Sequence, residues 1–179
     1  YYKQPDLTAQ MFDEEGFYKI GDAGRFVDPE DPSQGIIFVG RVVEDFKLTS
    51  GTWVSVGTLR VKLVSALAPL AQDVVITGHD HAEAGALIFA SPQARELPPD
   101  ALRQRIADAL AALRRDGGGS SMALARALVL PDAPSAEAGE ITDKGYVNQR
   151  AVLTRRAADV QALHAEPYDA RVITPSRPA

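Results

Sequence analysis

The sequence predicts an α+β fold in which a short mixed sheet packs with about three helices, preceded by a small β meander. Leucines at helical spacing predict amphipathic helices, and short apolar runs bounded by turn residues predict strands. The two kinds of segment are mixed along a stretch of ordinary domain length. Such mixing is typical of a compact α+β domain.

The helices are predicted from their apolar spacing and their boundaries. A first helix is expected over residues 57–68, a second before the glycines at 117–119, and a third over residues 146–163. The apolar faces of the first two helices are formed by Leu59, Leu63, Leu67 and Leu70, and by Leu102, Ile106, Leu110 and Leu113.

The strands are predicted from short runs of apolar and β-branched residues. A hairpin turns at Ser50-Gly51, and further strands follow it. The predicted strands of this part are 45–48, 52–54, 73–77, 84–90 and 125–130. Residues 1–43 are turn-rich, and 17–20, 24–27 and 36–39 are expected to form a meander with little core of its own. The tail from residue 166 has no periodicity and is expected to be loose.

Composition excludes several classes of function. The chain has 179 residues, 45% of them hydrophobic, a net charge of −5 and no cysteine. An acidic chain without a basic block argues against general binding to nucleic acid or anionic membranes. Disulfides and thiolate metal sites are excluded. No apolar run is long enough to span a bilayer, so a soluble cytoplasmic protein is expected.

Two polar residues at strand ends are candidates for a nucleotide site. Asp22 follows Gly21 between two predicted strands, and its carboxylate can accept hydrogen bonds from the vicinal hydroxyls of a ribose. Arg41 follows Gly40 and offers a rigid fork of donors. The alternatives are an ordinary Gly-Asp turn and a surface arginine.

Glu44 and Asp45 form an acidic pair where the character of the sequence changes. Such a pair can act as a hinge, at which a few residues absorb a backbone rotation. The alternative is a solvated turn. Trp53, close to Gly51, can line a ligand channel, although a buried hairpin tryptophan is commoner.

Lys144 stands in a polar turn just before the third predicted helix. An ammonium group aimed into a dry site can offset negative charge that develops on a phosphoryl group. The alternative is a surface lysine, although a helix dipole disfavours a cation at its N-terminus. His79-Asp80-His81 lacks a third ligand, so we expect a polar loop rather than a metal site.

Taken in order, these segments resemble the C-terminal portion of the AMP-forming adenylate-forming superfamily, which includes acyl-CoA synthetases, adenylation domains and luciferases. The resemblance covers nearly all of residues 1–163. Ile20-Gly21-Asp22 is similar to the family's Thr-Gly-Asp motif, with isoleucine in place of threonine. The segments 44–54 and 139–145 are most similar to feruloyl-CoA synthases and their aryl-acid relatives.

The resemblance implies a role for each candidate. Asp22 and Arg41 would bind the ribose of ATP, and Glu44 or Asp45 would be the pivot of a small mobile domain. Gly51 and Trp53 would lie on a loop that faces the pantetheine of coenzyme A. Lys144 would bridge the carboxylate of the acid and the α-phosphate of ATP.

The implied reaction uses Mg²⁺-bound ATP to convert a carboxylic acid, with an aryl acid favoured, into an acyl adenylate. Coenzyme A then takes the acyl group. Residues 1–43 would end a large adenylation domain, 44–165 would form the mobile lid, and 166–179 the tail. The fragment alone is expected to be inactive, since the phosphate loop and the acyl pocket of the family lie in the rest of the N-terminal domain.

Two other functions fit the same sequence. One is a non-catalytic α+β module that binds a nucleotide or a partner. The other is an adenylation domain that serves a carrier protein or a reductase and differs only in the acceptor thiol.

Overall fold

The structure is a computed structural model that describes residues 1–117 and 119–176. The chain divides into two compact units, Tyr1–Val43 and Glu44–Ala179. Among the described residues, no helix is both long enough and apolar enough to cross a membrane.

The first unit is a two-stranded antiparallel hairpin preceded by a short helix. Its elements are α1 (Pro5–Gln10), β1 (Asp22–Phe26) and β2 (Ile36–Arg41). The predicted strand over 17–20 is reduced to a single bridge between Phe12 and Tyr18. It does not extend because Asp13 accepts hydrogen bonds from the backbone of Glu15 and Phe17 and holds the chain in a turn. No apolar side chain of residues 1–43 is buried, in agreement with the predicted lack of a core.

The second unit contains the mixed sheet that the sequence predicts. Its central strand pairs antiparallel with one neighbour and parallel with the other, in the order β5-β6-β7. A separate hairpin, β3 with β4, precedes the sheet. The strands are β3 (Phe46–Lys47), β4 (Trp53–Val54), β5 (Ala71–Thr77), β6 (Ala84–Ala90) and β7 (Leu124–Leu130).

Helices cover both faces of this sheet. They are α2 (Val56–Leu67), α3 (Pro99–Arg115), α4 (Gln149–Arg155) and α5 (Ala157–His164). Side chains alternate along a strand, so Val74 and Ile76 join the core under α2 and α3, whereas Val75 joins the core under α4 and α5. The predicted leucines Leu59 and Leu63 are fully buried in the first of these cores.

The third predicted helix is two helices, and this corrects the sequence prediction. The first begins at Gln149 rather than at residue 146, because residues 141–147 form a closed turn and the Asn148 side chain caps the helix by accepting from Ala151 N–H. The helical path is interrupted at Arg156, which has φ −94° and ψ 28°. The Arg156 guanidinium is bound there to a buried carboxylate described below.

The tail also differs from its prediction as a loose segment. Val172 and Ile173 are buried, and Ile173 exchanges two backbone hydrogen bonds of 2.8 Å with Ala127 of β7. Arg103 of α3 donates to the Val172 carbonyl. Residues 166–176 therefore include a buried segment joined to β7 by one bridge, while residues 177–179 of the predicted tail lie outside the described residues.

Candidate functional site

Asp22 and Arg41 lie directly opposite each other in the first unit. Asp22 begins β1, Arg41 ends β2, and the ladder register pairs their Cα atoms. The Arg41 Nε atom is 3.0 Å from Asp22 Oδ1, and the two side chains remain 53% and 38% exposed. The ladder thus brings together two residues that the sequence assigned to one nucleotide site. Together they present a carboxylate and a guanidinium with unfilled hydrogen-bonding capacity to a polar ligand.

The acidic pair lies at the boundary between the two units, which falls between Val43 and Glu44. Asp45 Oδ1 accepts a hydrogen bond of 2.9 Å from the backbone N–H of Val56, the first residue of α2. A carboxylate at a helix N-terminus is favourable because the first N–H groups have no partner within the helix. Asp45 is therefore fixed to the second unit immediately after the boundary.

The hairpin formed by β3 and β4 presents Gly51 and Trp53. Gly51 has φ 82°, a left-handed conformation that favours glycine, and its N–H donates to the Leu48 carbonyl at 2.8 Å. Trp53 is 50% exposed rather than buried, in contrast to the commoner outcome for a hairpin tryptophan. Lys47 lies opposite it, with Nζ 5.7 Å from the indole centroid.

Lys144 lies at the exposed tip of a tight turn, which we call the lysine turn (residues 141–147). Ile141 and Val147 form an antiparallel bridge at its base, and Thr142 N–H donates to the Tyr146 carbonyl at 2.8 Å. The lysine is the one cation among these seven positions, all of which the structure describes. Because α4 begins only at Gln149, Lys144 is not a helical residue and the unfavourable helix-dipole argument does not apply to it.

Glu140, which precedes the lysine turn, is a functional candidate that the sequence did not single out. Its side chain is 0% exposed and accepts from Arg156 Nε at 2.8 Å, while Arg155 NH1 lies at 3.0 Å. It also accepts from Ser135 N–H at 2.8 Å. Hydrogen bonding from Arg156 lowers the pKa of Glu140 against the opposing effect of burial. No local sequence signal distinguishes this buried glutamate from a surface one.

The two histidines of the loop at residues 79–81 contact different groups. His79 Nδ1 lies 2.8 Å from Asp80, whereas the His81 ring stacks on His164 at 3.9 Å. His164 Nε2 is 2.7 Å from Thr77 Oγ1, and burial lowers the pKa of His164 to about 4.

The helix terminator predicted at residues 117–119 includes Gly118, which lies outside the described residues.

Similarity to known proteins supports the resemblance found in the motifs. Residues 48–167 match the family model described as the AMP-binding enzyme C-terminal domain. A carboxylic acid reductase from Segniliparus rugosus is 28% identical over 170 residues, which are 93% of this chain and 14% of that protein. The relatives named here are reductases, not the feruloyl-CoA synthases that the motifs resemble most.

Solved structures give the same result. The A-PCP didomain of the S. rugosus reductase in complex with AMP matches with a TM-score of 0.76 and 26% identity, covering 93% of this chain and 23% of that one. The A domain of the same reductase, in complex with AMP and a co-purified carboxylic acid, matches with a TM-score of 0.73 and 26% identity over 90% of this chain and 25% of that one. The chain thus spans about a seventh of the curated reductase and about a quarter of these solved chains.

Proposed function

This chain belongs to the AMP-binding enzyme C-terminal domain family, and we propose that it completes the active site of an enzyme that activates a carboxylic acid with ATP. The acid's carboxylate attacks the α-phosphate, an acyl adenylate forms, and pyrophosphate leaves. A thiol then takes the acyl group and AMP is released. The AMP complexes of the similar reductase domains support a nucleotide substrate, and one of them also holds a carboxylic acid.

The lysine turn is the observation that carries this proposal. Lys144 is presented at the tip of a turn whose base is closed by the bridge between Ile141 and Val147. A preorganised ammonium group can stabilise charge developing on the phosphate and carboxylate oxygens without reorganisation during the reaction. We assign Lys144 to the adenylation step.

Asp22 and Arg41 fit the sugar of the nucleotide. Their 3.0 Å ion pair leaves both side chains partly exposed, so the carboxylate retains lone pairs for two vicinal hydroxyls. Mg²⁺ would supply charge neutralisation on the ATP phosphates. In the intact enzyme a larger N-terminal domain would hold the phosphates and the acid, for which an aryl acid remains the favoured class.

The acidic pair would serve as the pivot between two arrangements of the enzyme. The backbone between Val43 and Glu44 separates the compact units, and Asp45 is tied to α2. Rotation there would withdraw Lys144 after adenylation and bring the Gly51 and Trp53 hairpin towards the acceptor. The half-exposed indole is suited to contact a flexible acceptor chain.

For the acceptor, we favour a carrier thiol that delivers the acyl group to a reductase. The similar proteins are named carboxylic acid reductases, which supports this alternative over coenzyme A. Coenzyme A is the second candidate, because the segment 44–54 resembles feruloyl-CoA synthases. Supplying the intact enzyme's acyl adenylate with coenzyme A or with a phosphopantetheinylated carrier separates the two: only the true acceptor yields a thioester.

The test of the proposed function is Lys144→Ala in the intact enzyme. Acid-dependent pyrophosphate release should fall by about 100-fold or more, whereas transfer from a pre-made acyl adenylate should keep its rate. Lys19→Ala, which changes an exposed lysine of the first unit, is the control. Equal losses in both half-reactions would contradict the assignment, and an intact wild-type enzyme that binds nucleotide without adenylating any acid would favour the non-catalytic module.

A further inference from the structure

We propose that Glu140 is a positioning residue, which fixes the lysine turn so that Lys144 points in one direction. The inference rests on the proposed function, because it concerns the lysine of that function. It adds a residue that touches no substrate and acts through the backbone of the turn.

Glu140 directly precedes the lysine turn, and its backbone helps to close the turn. Its carbonyl accepts a hydrogen bond of 2.8 Å from Asn148 N–H, and its own N–H donates to the Ser135 carbonyl at 2.9 Å. The next residue along, Ile141, forms the bridge to Val147. The backbone hydrogen bond between Glu140 and Asn148 is therefore the outermost contact that closes the turn.

The side chain of Glu140 connects the start of the lysine turn to the junction of α4 and α5. Besides the Ser135 N–H, it binds Arg155, which ends α4, and Arg156, where the helical path is interrupted. Arg156 binds in a fork, with Nε at 2.8 Å from Oε1 and NH2 at 3.2 Å from Oε2. A forked arginine–carboxylate pair defines orientation as well as proximity.

Asn148, which directly follows the lysine turn, is attached to α4 as well. The Asn148 side chain accepts from Ala151 N–H at 3.2 Å and caps α4. Both sides of the turn thus lead to α4, one through a backbone connection and the other through the Glu140 carboxylate. Loss of the carboxylate releases one of the two attachments and leaves Lys144 on a turn that can tilt.

A buried ion pair alone is weak evidence for a role in stability, because desolvation offsets the attraction between the charges. What identifies Glu140 is its place: a fully buried carboxylate with three donor residues, four positions before the lysine. A displacement of about 1 Å at a reacting group can cost about 100-fold in rate. Positioning therefore predicts a kinetic defect confined to the step that uses Lys144.

The test compares Glu140→Gln in the intact enzyme with and without Lys144→Ala. Glutamine keeps the size and one acceptor but removes the charge that holds both arginines. We expect Glu140→Gln to slow single-turnover pyrophosphate release by about 10- to 100-fold and to leave acyl transfer from pre-made adenylate unchanged. In the Lys144→Ala background the same substitution should cause no additional loss.

Asp73→Asn is the matched control. Asp73 on β5 pairs with Arg60 on α2, so this change also removes the charge of a shielded carboxylate bound by a forked arginine. It should lower thermal stability without altering the ratio of the two half-reactions. Arg156→Lys, which keeps the charge but loses the fork, gives a second variant if Glu140→Gln does not fold, and it should slow adenylation selectively.

The outcomes separate this inference from the function on which it rests. If Lys144→Ala slows adenylation but Glu140→Gln and Arg156→Lys do not, the positioning role is wrong and the function stands. Equal slowing of both half-reactions by Glu140→Gln, or a further loss in the Lys144→Ala background, also overturns it. If Lys144→Ala has no effect on adenylation, the proposed function itself fails.

Discussion

The side-chain amide of Gln149 binds both backbone polar groups of Ile76. Its Nε2 donates to the Ile76 carbonyl at 2.6 Å, and its Oε1 accepts from the Ile76 N–H at 3.3 Å. Ile76 lies on β5, an edge strand of the sheet, so one amide side chain satisfies edge groups that a further strand would otherwise bind. Gln149 is also the first residue of α4, so this contact attaches the helix after the lysine turn to the sheet.

Gln149→Leu should destabilise the chain because it leaves a buried N–H and a buried carbonyl without partners. Each unsatisfied group costs about 1–3 kcal/mol, so we expect the free energy of unfolding in urea to fall by an amount in that range or above. Gln161→Leu, at an exposed position on α5, is the control and should have little effect. An unchanged midpoint for Gln149→Leu would show that this amide contact contributes nothing to stability.

The low pKa of His164, whose ring stacks on His81, predicts that the chain loses stability in mild acid. Burial lowers the pKa of His164 from its ordinary value of 6.5 to about 4, with His81 and Arg126 also opposing its protonation. Above pH 6.5 the imidazole is neutral in both the folded and the unfolded chain, so folding is unaffected. As the pH falls from 6.5 towards 4, the unfolded chain binds a proton that the folded chain does not, so the free energy of unfolding decreases.

His164 alone changes the free energy of unfolding by at most about 1.4 kcal/mol per pH unit. The change should be smaller because the side chain is only partly buried. His164→Gln retains a partner for Thr77 without a titrating group, and it should flatten the profile between pH 6.5 and 4. Parallel urea-denaturation profiles for wild type and His164→Gln would contradict the assignment.

Asp22→Asn in the intact enzyme should weaken ATP binding. A hydrogen bond to a charged group is worth about 1.5–3 kcal/mol, which corresponds to about a 10- to 100-fold rise in the dissociation constant. Asp28→Asn is the control, because Asp28 lies in the same unit and its carboxylate accepts from Glu30 N–H within a turn. Calorimetric titration with ATP measures the effect, and equal affinities for the two variants would remove Asp22 from the nucleotide site.

The sequence predicted those elements whose information is local. Leucines at helical spacing located α2 within one residue at each end, and apolar runs located β6 and β7 within one residue. Contacts between distant residues were not predictable in the same way. The break at Arg156 occurs where that residue binds a carboxylate sixteen positions earlier, and the spacing of apolar residues across residues 146–163 does not indicate it.

The candidate site follows the same division. The motifs nominated Asp22, Arg41 and Lys144, whose roles are proposals, but the pairing of Asp22 with Arg41 depends on the register of β1 and β2. Glu140 and Gln149 were missed because the neighbouring sequence does not indicate whether a polar residue is buried. Their partners are two arginines of a helix junction in one case and the backbone of a strand 73 positions away in the other.

Ile173→Ala should destabilise the second unit, although Ile173 lies in the segment that the sequence predicted to be loose. Its side chain is 4% exposed within the core beneath α2 and α3, and its backbone pairs with Ala127 of β7. Truncation of a buried isoleucine costs about 2–5 kcal/mol, so the urea midpoint of the chain should fall clearly. Thr174→Ala, at the exposed neighbouring position, should leave the midpoint close to that of the wild type. The two variants separate packing of this residue from a general effect of changing the tail, and equal midpoints would mean that the tail does not contribute to the fold in solution.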